Sequence, residues 1–218
     1  MTQWIGWLRR LRAEQGGQPC AMISVLATEG SAPRGAGTRM LVWADRQEGT
    51  IGGGQLELRA VEQARAVLAH PPGTWRVQDY PLGPLLGQCC GGRVRLLVEH
   101  LDPAWLDWLA DAEPGRMLET QLEEGSVRRE VHLRETATRQ SARGERPATG
   151  ARLVEPVGER PRPVYLFGAG HVGQAIARHM TGLPFQLAWF DTRAEQGTID
   201  GVTVVDEDTD EKNSYQIV

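Results

Sequence analysis

Lysine is almost missing from this chain of 218 residues. Its 24 basic residues are 23 arginines and one lysine, Lys212, and the only asparagine is the neighbouring Asn213. Arginine suits bidentate recognition of phosphate and carboxylate, but a genome-wide codon preference gives the same imbalance and is the simpler reading. On that reading the ending EKNSYQIV stands apart as a foreign tail or a change of frame. Basic charge is not in excess either: with 28 acidic residues the net charge is −4, and no stripe of mixed aromatic and basic residues draws the chain toward nucleic acid. Long apolar runs are lacking, and none approaches the roughly 18 residues of a membrane span. Arg9 and Arg10 interrupt the N-terminal MTQWIGWLRRLR and no small-residue cleavage site follows, which argues against export and places the protein in the cytoplasm. Cysteine is scarce. Cys20, Cys89 and Cys90 are too few for a disulfide framework and fit no Cys-x-x-Cys zinc pattern. No Ser–His–Asp order, HExxH or paired-carboxylate pattern stands out, so hydrolase chemistry has no visible support.

What is there is glycine, 26 residues of it, concentrated in loops between apolar segments. Trp4, Leu8 and Leu11 recur at helical spacing, with Thr2 available as a cap and Gly16-Gly17 as a stop. CAMISVLA at 20–27 and RMLVW at 39–43 are strand-length apolar runs flanking the loop TEGSAPRGAGT. GTIGGGQLE then feeds a helix from near Gln55 to near Ala69, lined by Leu56, Ala60, Ala64 and Leu68. TWRVQDY at 74–80 and RVRLLVE at 93–99 read as strands around PLGPLLGQCCGG. A short helix is expected from Asp102 as N-cap and Pro103, burying Trp105, Leu106 and Leu109. MLETQL and VRREVHL form a hairpin across Glu124-Gly125-Ser126, and the aperiodic stretch 136–162 reads as a linker. Beyond it VYLFGAGHVGQAIARHM, FQLAWFD and GVTVVD alternate strand, glycine turn, helix and strands. The expected organisation is therefore α/β: an N-terminal mixed α/β domain at 1–135, then at 163–218 the first half of a Rossmann-like doubly wound domain, which stops well short of a complete one.

Four groups of residues could carry chemistry. Gly168, Gly170 and Gly173 of GAGHVG have the GxGxxG spacing after a strand and before a helix. They assign, in order, to the tight turn, close phosphate approach and helix–sheet packing, with Asp191 at the end of the next strand accepting from a ribose hydroxyl. The same motif also packs a strand on a helix without binding anything. His171 lies inside this turn, where the bland reading is that it faces solvent. Gly52, Gly53 and Gly54 offer backbone amides to an anion at a second helix start, or form a flexible turn. Arg34, among glycines in SAPRGAG, could clamp a phosphate or be simply solvated. Cys89-Cys90, between Gly87 and Gly91-Gly92, favour a soft-metal, sulfur-transfer or redox role, or else form a core pair.

Taken in order, TEGSAPRGAGTRMLV, GTIGGGQLE, LGPLLGQCCGGRVRLLVE and VYLFGAGHVGQAIA resemble the XdhC/CoxI family, the xanthine dehydrogenase accessory proteins. The resemblance implies a cytoplasmic chaperone rather than an enzyme. Such a chaperone binds molybdenum cofactor (molybdopterin, a pyranopterin dithiolene with a phosphate tail), protects it while a cysteine desulfurase installs its sulfido ligand, and delivers it to apo xanthine dehydrogenase. It implies a cofactor site drawn from Arg34, Gly52, Gly53, Gly54, Cys89, Cys90, Gly168, Gly170, His171, Gly173 and Asp191, with Cys89 and Cys90 toward molybdenum or sulfur. Some members carry Cys where this chain has Gln55, so no metal role goes to that residue. The short second half departs from the family: the chain is either a fragment with a spurious tail or one whose open sheet edge pairs with another chain, such as a second copy in a homodimer. Two other readings remain. An NAD(P)-dependent oxidoreductase follows from GAGHVG and Asp191, weakened by the lack of an acid–base partner; an adaptor that docks on a molybdoenzyme without pterin is the third.

Overall fold

The computed structural model describes residues 3–14, 18–83, 91–158, 162–181, 183 and 185–205. The chain divides into two compact units, residues 2–158 and 159–218.

In the first unit five antiparallel strands form a sheet of order β3-β2-β1-β5-β4: β1 Ala21–Glu29, β2 Arg39–Val42, β3 Gln47–Gly49, β4 Trp75–Pro81 and β5 Arg93–His100. The central β1 is covered on both faces, which is why it reads as an unbroken apolar run instead of an alternation. Ala21, Ile23 and Val25, with Val94, Leu96 and Val98, pack under helix α2, Gly54–Val67, whose Leu56, Ala60, Val61, Ala64 and Val67 form the matching stripe. On the opposite face Met22, Leu41 and Trp43 meet Trp4, Ile5, Leu8 and Leu11 of helix α1, Gln3–Ala13. Thr2, Gly16 and Gly17, expected to bound that helix, lie outside the described residues.

A second antiparallel sheet of order β7-β6-β8 comprises β6 Met117–Glu123, β7 Ser126–His132 and β8 Arg152–Pro156. Leu122, Val127 and Leu153 pack with Leu97 and the half-buried Leu26 and Trp75 of the first sheet. Two ion pairs cross the same interface: Arg129 of β7 with Glu99 of β5, both side chains 3% exposed, and Arg39 of β2 with Glu155 of β8.

Two expectations change here. The stretch 136–162 is not a free linker, because β8 pairs with β6 from Met117↔Pro156 to Gln121↔Arg152. Before it, Ala142 is fully buried, and the carbonyls of Gly144 and Glu145 accept from the buried Arg95 guanidinium at 2.7 and 2.6 Å. Irregular backbone fixed by side chains has no period to read. The helix expected after Asp102 is instead two 3-10 turns, Pro103–Trp105 and Asp107–Ala110. Asp102 does cap the first, accepting from the Ala104 amide at 2.9 Å. The break at Leu106 turns Trp108 into the core beside Leu106 and Leu109, while Trp105 stays half-exposed beneath Arg128.

In the second unit β9 Arg162–Phe167, helix α3 His171–Met180, β10 Phe185–Asp191 and β11 Val202–Val204 form a parallel sheet of order β11-β10-β9. β9, α3 and β10 make a β–α–β crossover, and a 3-10 turn at Ala194–Thr198 links β10 to β11. The acidic ending from residue 206 lies outside the described residues.

Candidate functional site

The register of the first sheet gathers its glycine-rich loops at one end. Glu29, where β1 ends, pairs with Arg93, where β5 starts, and Arg93 pairs with Pro81, where β4 ends. β2 starts and β3 ends at the same edge, with Met40 opposite Gly49. Loop 30–38, turn 50–53 and the flanking residues 82–83 and 91–92 therefore lie at one end of the sheet. Loop 30–38 meets Gly92 through backbone and Gly52 through the Pro33 ring. The Gly92 amide donates to the Ser31 carbonyl at 3.1 Å, and the Gly92 carbonyl accepts from the Leu82 amide at 2.9 Å. A Cβ on Gly92 would overlap the carbonyl oxygens of Glu29 and Ser31, and one on Gly52, whose φ is +121°, would overlap the Pro33 ring. Arg34 stands exposed in the first of these loops. Cys89 and Cys90 lie outside the described residues, within the segment whose described flanks, Gly83 and Gly91, come close together.

The amide concavity expected at Gly52–Gly54 is there, but its anion belongs to the chain. Oε2 of Glu57, in the first turn of α2, accepts from the Ile51 and Gly53 amides at 3.1 Å each and from the Thr50 hydroxyl, while Oε1 accepts from Gln47 Nε2 at 3.3 Å. Burial opposes the Glu57 charge, yet these four donors outweigh it and hold the carboxyl below its usual range. An incoming phosphate does not find the Ile51 and Gly53 amides free. The first-turn amides of α2 lack intrahelical acceptors, as at any helix start, and the N-cap Gly53 has no side chain to supply one.

In the second unit Gly168, at φ +96°, makes the turn out of β9, and its amide donates to the Phe190 carbonyl at 2.7 Å. Gly173 sits so close to the turn that a Cβ would overlap the Gly168 carbonyl oxygen, whereas one on Gly170 would find only Arg193 Nη2 at 3.8 Å. The glycine assignments for turn and packing thus have steric reasons in the fold. His171 is exposed at the start of α3. Asp191 departs from its expected role: its carboxylate is 3% exposed and already engaged. Oδ2 accepts from the Ala169 amide and from Arg193 Nη2 at 2.8 Å, and Oδ1 from the Arg193 amide at 2.8 Å and Nε at 2.9 Å. The Arg193 guanidinium first, then the two amides, hold this carboxyl far below its usual range. A ribose hydroxyl would have to displace one of these donors.

Two comparisons bear on these loops. Residues 13–80 match the XdhC and CoxI family. The XdhC/CoxI match takes in loop 30–38, turn 50–53 and Glu57, and so two of the four motifs read from the sequence; the Cys89-Cys90 and GAGHVG segments lie beyond it. Among solved structures, one described as a xanthine dehydrogenase from Bacillus halodurans aligns with a TM-score of 0.62 at 21% identity, covering 92% of this chain and 68% of that one. That likeness is one of fold, mixed α/β over both units. No curated protein matches the chain. No helix among the described residues is long and apolar enough to cross a membrane.

Glu57 and Arg193 are the site residues that the sequence reading missed. Each had a signal: an acidic residue one turn beyond a capless glycine start, and an arginine two residues beyond the strand-terminal aspartate.

Proposed function

We propose that this chain is an accessory protein that binds molybdenum cofactor and delivers it to a xanthine dehydrogenase in the cytoplasm. The observation that carries the reading is the meeting of two glycine-rich loops, both inside the XdhC/CoxI match, with the flank of a third at Gly92, at one end of the first sheet. What supports a ligand with a phosphate there is exposed backbone. Added Cβ atoms at Gly35, Gly53 and Gly91 would meet nothing within 4 Å, so backbone lies open there. Arg34 and the first-turn amides of the exposed Gly54 and Gln55 would hold the phosphate, in place of the amides that Glu57 occupies. Cys89 and Cys90 would supply soft donors toward molybdenum or its sulfur. Bound, the cofactor would bring a sulfur-ligated metal centre for use by the recipient enzyme. The chain's own task is to hold it and exclude water until a cysteine desulfurase and then the recipient dock.

The test is the pterin content of the chain purified from a molybdopterin-producing host, read by fluorescence after oxidation. Near-stoichiometric pterin is expected, with reduced retention of sulfurated cofactor in a Cys89→Ala/Cys90→Ala variant that stays folded. A folded chain without pterin refutes the carrier reading. An NAD(P)-dependent oxidoreductase is the competing class, supported by the β–α–β turn of the second unit. The occupied Asp191 weighs against it, and calorimetry showing tight NAD or NADP binding would revive it.

A further inference from the structure

Turn 50–54 should be the loosest part of the sheet end. Gly52, Gly53 and Gly54 follow one another at φ +121°, +73° and +64°, conformations that cost glycine little but that nothing in their own side chains holds. The turn is nevertheless closed by Glu57, which gathers four donors from residues 47 to 53. The Gly52 amide, pointing elsewhere, is taken by Thr50 Oγ1 at 3.0 Å. Glu57 is itself fixed, because it follows the fully buried Leu56 on a helix whose apolar stripe is locked under β1 and β5. The turn in turn abuts the neighbouring loop, since Gly52 lies against Pro33, the residue before Arg34. One carboxylate thus connects the rigid helix to two loops of the candidate site.

We infer that Glu57 is the positioning residue of the cofactor-binding end. It sets the glycine turn in the receiving shape before any ligand arrives, and by filling the Ile51 and Gly53 amides it directs an anionic ligand group to Arg34 and the start of α2. This rests on the carrier reading above, and it extends that reading from a set of loops to the group that arranges them.

Three full-length chains decide it: wild type, Glu57→Gln and Arg59→Gly. Gln keeps the shape of Glu but loses the charge and turns an N–H toward other donors. Arg59→Gly weakens α2 from its exposed side without touching the turn. Amide exchange at Ile51 and Gly53 should be about tenfold faster or more in Glu57→Gln, as expected for loss of hydrogen bonds to a charged acceptor, and unchanged in Arg59→Gly. Bound pterin should escape several-fold faster from Glu57→Gln than from Arg59→Gly when the two are compared at denaturant concentrations that equalise their stability. Equal escape rates would reduce Glu57 to a structural cap and overturn the inference, as would unchanged exchange at Ile51 and Gly53. If wild type carries no pterin the carrier reading fails on that result alone. Faster exchange in Glu57→Gln would still support Glu57 as the organiser of the turn, and unchanged exchange would overturn it.

Discussion

At the scale of single residues, neighbouring glycines of one motif differ in what they can tolerate. Gly173→Ala drives a methyl group into the Gly168 carbonyl, so α3 must shift; overpacking of this kind costs about 1–3 kcal/mol. Gly170 has φ −72°, open to any residue, and its added Cβ meets only the far end of Arg193. Urea denaturation followed by the NMR signal of the Trp189 indole N–H, which donates to the Gly168 carbonyl, should show a clear loss for Gly173→Ala and little change for Gly170→Ala. Cys20 is a different case. Burial pushes its thiol up to about 12, so it remains protonated at pH 8. In a Cys89→Ala/Cys90→Ala background a thiol reagent should leave the folded chain untouched and modify Cys20 only as denaturant unfolds it. Asp191 shows where residue-level reading stops. The spacing puts a carboxylate at the end of β10 and an arginine two residues on, but it does not say that the guanidinium folds back over the carboxylate and fills it.

At the scale of elements, the apolar runs and the β6–β7 hairpin were legible because their period and turn chemistry are local. β3 and β8 were not: β3 is three mostly exposed residues, and β8 is five residues set among arginines, prolines and glycines. What places β8 is long-range, the pairing with β6 and the Arg39–Glu155 bond. The companion pair Glu99–Arg129 is more deeply buried, and removing one partner leaves an uncompensated charge. Arg129→Met should therefore destabilise the first unit by about 3–5 kcal/mol, as is usual for a broken buried pair. The double change Arg129→Met with Glu99→Leu should recover much of that loss, which a double-mutant cycle in urea would measure. A small, additive pair of effects would mean that water reaches this interface.

At the scale of the whole molecule, several carboxylates share one pH response. Glu57 and Asp79 are held below their usual range by hydrogen bonds that outweigh burial, those of Asp79 coming from Arg95 and Arg146; Glu119 is held there chiefly by Arg152. A carboxylate whose folded pKa is depressed stabilises the fold fully above its unfolded value and loses that contribution as pH falls through the folded one. Stability should thus be level from neutrality to about pH 5 and fall below about pH 4.5, and Asp79→Asn should make the fall shallower. Urea midpoints across this range are the check. Finally, the central strand β1 has its longer partner far away in sequence, with Ala21 opposite His100, and the intervening chain supplies α2 and three of the other strands. Closing that span is an entropic toll paid before the β1–β5 pairing returns any contact, so refolding of the first unit should run on the millisecond-to-second scale of non-local β topologies. During that interval the apolar β1 is uncovered on both faces. The chain would then be most exposed to aggregation in its first moments, and stopped-flow refolding at rising chain concentration would reveal it.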